Sequence, residues 1–139
     1  MKKSALINAD VSHLIACLGH GQEITVCDAG LPIAKESHRI DLALMPGVPD
    51  FISTLSAILS EMQLEGVIIA EEFGAQSPEL HGELMSLIAN EEIKLDKPVQ
   101  VTYVSHEAFK LRSNKSEAVV RTGEFTPYAN IILQAGVVF

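Results

Sequence analysis

Helix-period and strand-period segments alternate along the 139 residues of this chain, and that alternation restricts the fold more than any single motif does. Val11, Leu14, Ile15 and Leu18 fall at i, i+3, i+4 and i+7, with Asp10 positioned to cap the helix and Gly19 to end it. Glu23 to Asp28 reads as a strand running into the turn Ala29-Gly30-Leu31-Pro32, and a short strand is expected over Arg39 to Leu44. Phe51, Leu55, Ile58, Leu59 and Met62 trace one helical face between Asp50 and Gln63. Gly66 to Ala70 is continuously apolar, the pattern of a strand buried on both faces of a sheet. Ser77-Pro78 opens a longer helix with Leu80, Leu84, Leu87 and Ile88 on its core face, followed by a strand over Pro98 to Val104 and a short helix over His106 to Arg112. Strands at Ala118 to Arg121 and Asn130 to Ala135 flank a loop. The expectation is an α/β fold: one domain over residues 1–139, with three α/β/α layers around a largely parallel or mixed sheet.

Charge narrows the partners. Ten Lys and Arg against 18 Asp and Glu give a net charge of −8, and no segment concentrates cations on a groove-reading helix, so nucleic acid is excluded as a partner. The acidity is uneven: between Ile40 and Ile93 there are ten acids and no Lys or Arg, which reads as a solvated surface. A hydrophobic content of 47% and a mean hydropathy of +0.25 are high for so small a domain, and point to apolar surface shared with other subunits. No apolar run reaches the roughly 20 residues of a membrane span. The basic start Met1-Lys2-Lys3 leads into Asn8 and Asp10 rather than an apolar signal core, so a cytoplasmic location is expected. Cys17 and Cys27, in different elements, are expected as free thiols.

Ligands of open α/β sheets gather at strand ends and in the loops that leave them. Three stretches qualify: Gly19-His20-Gly21 leading through a strand to Asp28, Val104-Ser105-His106, and the loop ending Tyr128-Ala129-Asn130. Each residue also has a plain structural reading. His20 can complement a helix dipole, Asp28 can bond its own turn, His106 can start a helix, and Tyr128 and Asn130 can be a loop aromatic and a turn amide. No metal-ligand spacing, phosphate-binding glycine motif or serine nucleophile elbow is present. Lys35 and the Arg39/Asp41 pair read as solvated or paired edge charges. The remaining polar inventory of two imidazoles, a carboxylate, a phenol and an amide suits acid/base chemistry on a neutral polyol with no cofactor and no metal.

The same residues carry a family resemblance. Leu18-Gly19-His20, Val26-Cys27-Asp28-Ala29-Gly30-Leu31-Pro32-Ile33, Arg39 to Leu44, Glu71-Glu72, Ser105-His106-Glu107, Arg121-Thr122-Gly123-Glu124 and Pro127-Tyr128-Ala129-Asn130 resemble the D-ribose pyranase family along nearly the whole chain. The related L-fucose mutarotases share a G-H-G start but usually read D-A-N-F-P where this chain has Asp28-Ala29-Gly30-Leu31-Pro32. Gln22 and Ala34 stand where the pyranase family commonly has aspartate and proline. The resemblance implies interconversion of ribose pyranose and furanose, with His20 as proton donor and Asp28, His106, Tyr128, Ala129 and Asn130 binding the sugar. It also implies a ring-built homo-oligomer, commonly a decamer of two pentamers, with sites at subunit boundaries. An L-fucose-type mutarotase and a non-catalytic ribose-binding protein are the alternative readings.

Overall fold

The computed structural model describes Met1–Phe139. In chain order the elements are α1 (Ala9–Cys17), β1 (Glu23–Cys27), β2 (Arg39–Asp41), α2 (Phe51–Leu59), β3 (Leu64–Ala70), α3 (Glu71–Gln76), α4 (Pro78–Leu95), β4 (Gln100–Val104), α5 (His106–Ser113), β5 (Ala118–Arg121) and β6 (Ile131–Ala135). The strands form one sheet in the order β2-β5-β1-β6-β3-β4. Five strands point the same way; β6 alone runs antiparallel, to both β1 and β3. The sheet is therefore mixed, with β6 splicing two parallel wings.

Alternation along each strand divides the core into two unequal parts. Ile24 and Val26 of β1, Val67 and Ile69 of β3, Val120 of β5 and Ile131 and Leu133 of β6 join residues of α1, α2 and α4 in a cluster of 24 buried residues. Cys27, Ile68, Ala70, Val119 and Ile132 face the other way and meet Phe109 of α5 in a cluster of seven. The three layers are present, but one outer layer is a single short helix. The Cys27 thiol lies in this thinner half, where burial and the neighbouring Asp28 charge push it up to about 12, leaving it inert at neutral pH. Cys17 is exposed and also free. No helix is long and apolar enough to cross a membrane.

Several local expectations shift. Asn8, not Asp10, caps α1: its Oδ1 accepts the Val11 N–H at 2.9 Å, which leaves Asp10 in the first turn. The helix ends at Cys17 with Leu18 extended, and the left-handed turn falls at Gly21 (φ +79°) rather than Gly19. Of the α4 core face, Leu84 and Ile88 are buried while Leu80 and Leu87 are only half-buried against the core. Asp41 pairs with Arg121 at 3.1 Å and not with Arg39. The helix α3 has no counterpart in the sequence reading, because six residues are too few to show a period.

Candidate functional site

The carboxyl ends of β1, β4 and β5 and the amino end of β6 share one edge of the sheet, since β6 is antiparallel to the others. Asp28, His106, Tyr128, Ala129 and Asn130 are thereby gathered there from three distant parts of the chain. Asn130, 1% exposed, clasps Asp28 twice: its Oδ1 accepts the Asp28 N–H at 2.9 Å, and its Nδ2 donates to Asp28 Oδ2 at 2.9 Å. Asp28 Oδ1 accepts the Gly30 N–H at 2.8 Å, so its turn role is also realised. Burial pushes the Asp28 carboxyl above the usual carboxylate range, against the opposing pull of hydrogen bonds from Gly30, Asn130 and Leu31.

Tyr128 sits at φ +63°, a left-handed conformation that is strained for a bulky residue. The turn is closed by the Asn130 N–H donating to the Tyr128 carbonyl at 2.7 Å, which lays Tyr128 edge-on to His106 with centroids 4.9 Å apart. The His106 ring lies nearly parallel to Phe109 (7°). Its Nδ1 is buried without a partner. An imidazole N–H left buried and unpaired is costly, which favours the neutral tautomer that is protonated on Nε2 and donates from there. The His106 backbone N–H donates to both carboxylate oxygens of Glu72, at 2.9 and 3.1 Å, while Ser105 caps α5.

The loop over this edge is held by Glu124. Its Oε1 accepts from the Phe125 N–H (3.0 Å), the Thr126 N–H (3.0 Å) and the Thr126 hydroxyl (2.8 Å), and its Oε2 from the Phe51 N–H (3.2 Å) at the start of α2. Its backbone carbonyl accepts the Ala29 N–H at 2.8 Å, tying the loop to the Asp28 turn. A side chain on the adjoining Gly123 would run into the Met45 and Val48 carbonyls. Burial acts to raise the Glu124 carboxyl, but the donors from Thr126, Phe51 and Phe125 outweigh it and hold it below its ordinary value. The unfolded chain then takes up the proton first as pH falls through the ordinary glutamate range, about 4.3, so this stabilisation is present above that range and lost on acidification through the native value. Glu124→Gln is expected to be less stable at neutral pH and to lose less stability between about pH 5 and pH 3. Urea midpoints across that range would show it; an unchanged acid slope would refute it.

Beside Asp28 opens a cleft of about 340 Å³ bounded by Arg121, Glu124, Phe125, Thr126 and Pro127. Arg121 Nε donates to the Ala29 carbonyl at 3.1 Å. Of the predicted site residues only Asp28 lines this cleft. A more apolar groove of similar volume, lined by Leu6, Ile7, Val11, Leu42, Pro49 and Ile58, lies apart from the polar cluster.

His20 is not part of this cluster. It precedes β1 whereas Asp28 follows it, so the five-residue strand, about 17 Å long at 3.3 Å per residue, lies between them. Gly21 donates to the carbonyl of Ala135 at 2.8 Å, at the end of β6 opposite Asn130. The ring of His20 is exposed and engages Glu65 at 2.6 Å rather than the last carbonyls of α1. Gln22 ties this turn down, its Oε1 accepting the Gly19 N–H at 2.6 Å and its Nε2 donating to Glu117 at 2.9 Å. Glu65 and Glu72, from the acidic middle of the chain, thus contact both imidazole-bearing residues. That segment reads as a solvated face in the sequence; Glu71-Glu72 enters only through the family resemblance, without a role, and no motif marks Glu65.

Known proteins share this architecture along its full length. The D-ribose pyranase of Photobacterium profundum is 62% identical over 139 residues, covering all of both chains. The structure of Bacillus subtilis RbsD complexed with D-ribose superposes with a TM-score of 0.90 at 43% identity, and that of the Streptococcus pneumoniae fucose mutarotase in complex with L-fucose with 0.83 at 30%, each covering both chains completely. With its spliced mixed sheet, its Asp28–Asn130 edge and a match that spans residues 1–138, the chain belongs to the RbsD / FucU transport protein family.

Proposed function

We propose that this chain is a D-ribose pyranase, a cofactor-free isomerase that exchanges the pyranose and furanose forms of ribose. The observation that carries the reading is the buried Asp28–Asn130 clasp flanked by Tyr128 and His106, a set of donors and acceptors without net cationic charge, suited to a neutral sugar. Full-length relatives named D-ribose pyranase support the choice of sugar. Ring opening needs a proton delivered to the ring oxygen and the anomeric hydroxyl proton removed; reclosure through O4 instead of O5 gives the furanose. His20 delivers the first proton. Asp28, with its raised affinity for protons, accepts the second, because Nε2 of His106 already bears one and Nδ1 is sealed. Tyr128, Asn130 and the His106 Nε2–H hold hydroxyls, and the buried backbone of Ala129 spaces them.

The same reading requires a homo-oligomer. Since His20 and Asp28 lie at opposite edges of one sheet, the working site joins the His20 edge of one copy to the Asp28 edge of the next. A head-to-tail contact between two different surfaces of the same chain is heterologous, the type of contact from which rings are built, in keeping with the decamer of two pentamers that the family resemblance implies. Exposed Ile7, Leu44, Met45 and Val48 supply apolar surface for such packing. A cytoplasmic sugar-processing role is part of the proposal.

Saturation-transfer NMR on D-ribose, L-fucose and D-allose tests it. Catalysed exchange between pyranose and furanose signals is expected for ribose above the others. Preference for fucose would make the chain a mutarotase of the other branch, and line broadening without faster exchange would make it a binding protein.

A further inference from the structure

We propose that Glu65 is a positioning residue for His20, setting which ring nitrogen faces the sugar. The inference rests on the reading of His20 as proton donor, and two independent features of the fold lead to it.

The first is the bond itself. His20 Nε2 and Glu65 Oε2 are 2.6 Å apart, and no other side chain engages the His20 ring. The ring sits on a turn whose backbone is tied to β6 through Gly21 and Ala135, so Glu65 fixes what the backbone leaves free, the rotation of the imidazole. The second is a β-bulge. Leu64 pairs with Ala135 and Gly66 with Gln134, so two steps along β3 match one along β6 and Glu65 is the extra residue. The bulge shifts the phase of the strand: Leu64 joins Val67 and Ile69 in the larger core, which strict alternation would forbid, and Glu65 is turned out toward His20. Lys97, Pro98, Gly136 and Val137 complete the groove around the pair.

A carboxylate only accepts, so Nε2 bears the proton and the pair orients Nδ1 to the open side. In the imidazolium, Nδ1–H is the proton passed to the ring oxygen. The neutral ring left behind is the Nε2–H tautomer, still bonded to Glu65, and it recovers its Nδ1 proton from solvent or product. Glu65 touches no reacting atom.

Removing a partner that fixes an imidazole's tautomer and orientation is expected to cost roughly 10- to 100-fold in kcat. Glu65→Ala is expected to lose this in ribose exchange with KM little changed, and Glu65→Gln, which keeps an acceptor but no charge, to fall between Ala and wild type. The double variant His20→Ala/Glu65→Ala should be no slower than His20→Ala alone. Long-range 1H–15N spectra of the imidazoles should show the Nε2–H tautomer for neutral His20 in the wild type and a mixture in Glu65→Ala. Full activity of Glu65→Ala beside an inactive His20→Ala, independent losses in the double variant, or an Nδ1–H tautomer in the wild type would each overturn the role of Glu65 while leaving that of His20 standing. Undiminished exchange in His20→Ala would overturn both.

Discussion

His20→Ala slows pyranose–furanose exchange by about 10²- to 10⁴-fold, the share a positioned acid supplies, while the chain keeps its stability and its ribose affinity. His20 is exposed, its ring packs into no core, and its one side-chain bond is to an equally exposed Glu65, so nothing structural is lost with it. The arrangement allows a sharper form of the test. If each site joins the His20 edge of one copy to the Asp28 edge of another, His20→Ala and Asp28→Asn chains, each inactive, recover exchange when unfolded and refolded together. By random assortment about a quarter of the boundaries in a heterologous ring pair two intact edges. No recovery on mixing would mean that one chain carries its whole site, against the separation imposed by β1.

Asn130→Ala should have the largest effect on binding and stability together. The amide satisfies both the backbone N–H and a carboxylate oxygen of buried Asp28, and it does so from the first residue before β6. Truncation leaves both groups unpaired, at about 1–3 kcal/mol for each that water cannot reach. The backbone bond that closes the Tyr128 turn survives, but the turn loses its side-chain anchor to Asp28, so ribose affinity falls as the melting temperature does. Asn130→Asp separates the contributions: it keeps the acceptor for the Asp28 N–H but sets two carboxylates together, and ribose binding should recover only as pH falls and one of them protonates. Calorimetric titration with ribose across pH, beside thermal melts, reads this; equal binding by wild type and Asn130→Ala would remove Asn130 from the site.

Much of this was legible in the residues because it rests on local rules. β5 falls where expected, α2 and α4 begin at Asp50 and Ser77-Pro78, and the continuous apolar run of β3 is buried as such runs are. Asp28, His106, Tyr128 and Asn130 stood out as polar residues at strand ends, and strand ends are where an α/β sheet exposes its backbone to ligands. Resemblance to a family then gave these residues roles that spacing alone left open. The helix cap at Asn8 was missed because Asp10, also a good cap, lies two residues on, and only the competition between the two turns decides it.

What sequence could not contain is the pairing of distant strands. A single reversal, β6 running against its neighbours, puts Asn130 beside Asp28 and carries Ala135 to the far edge with His20. One extra residue in β3 turns Glu65 toward that histidine, and the short α3 brings Glu72 under His106. By itself the sequence determined the elements other than α3, the α/β class and the chemical character of the candidate site, since these follow from periodicity and residue type within a few neighbours. Only the tertiary structure decided that His20 and the Asp28–Asn130 cluster occupy opposite edges, because that depends on strand order and direction, which are set by burying the whole sheet at once.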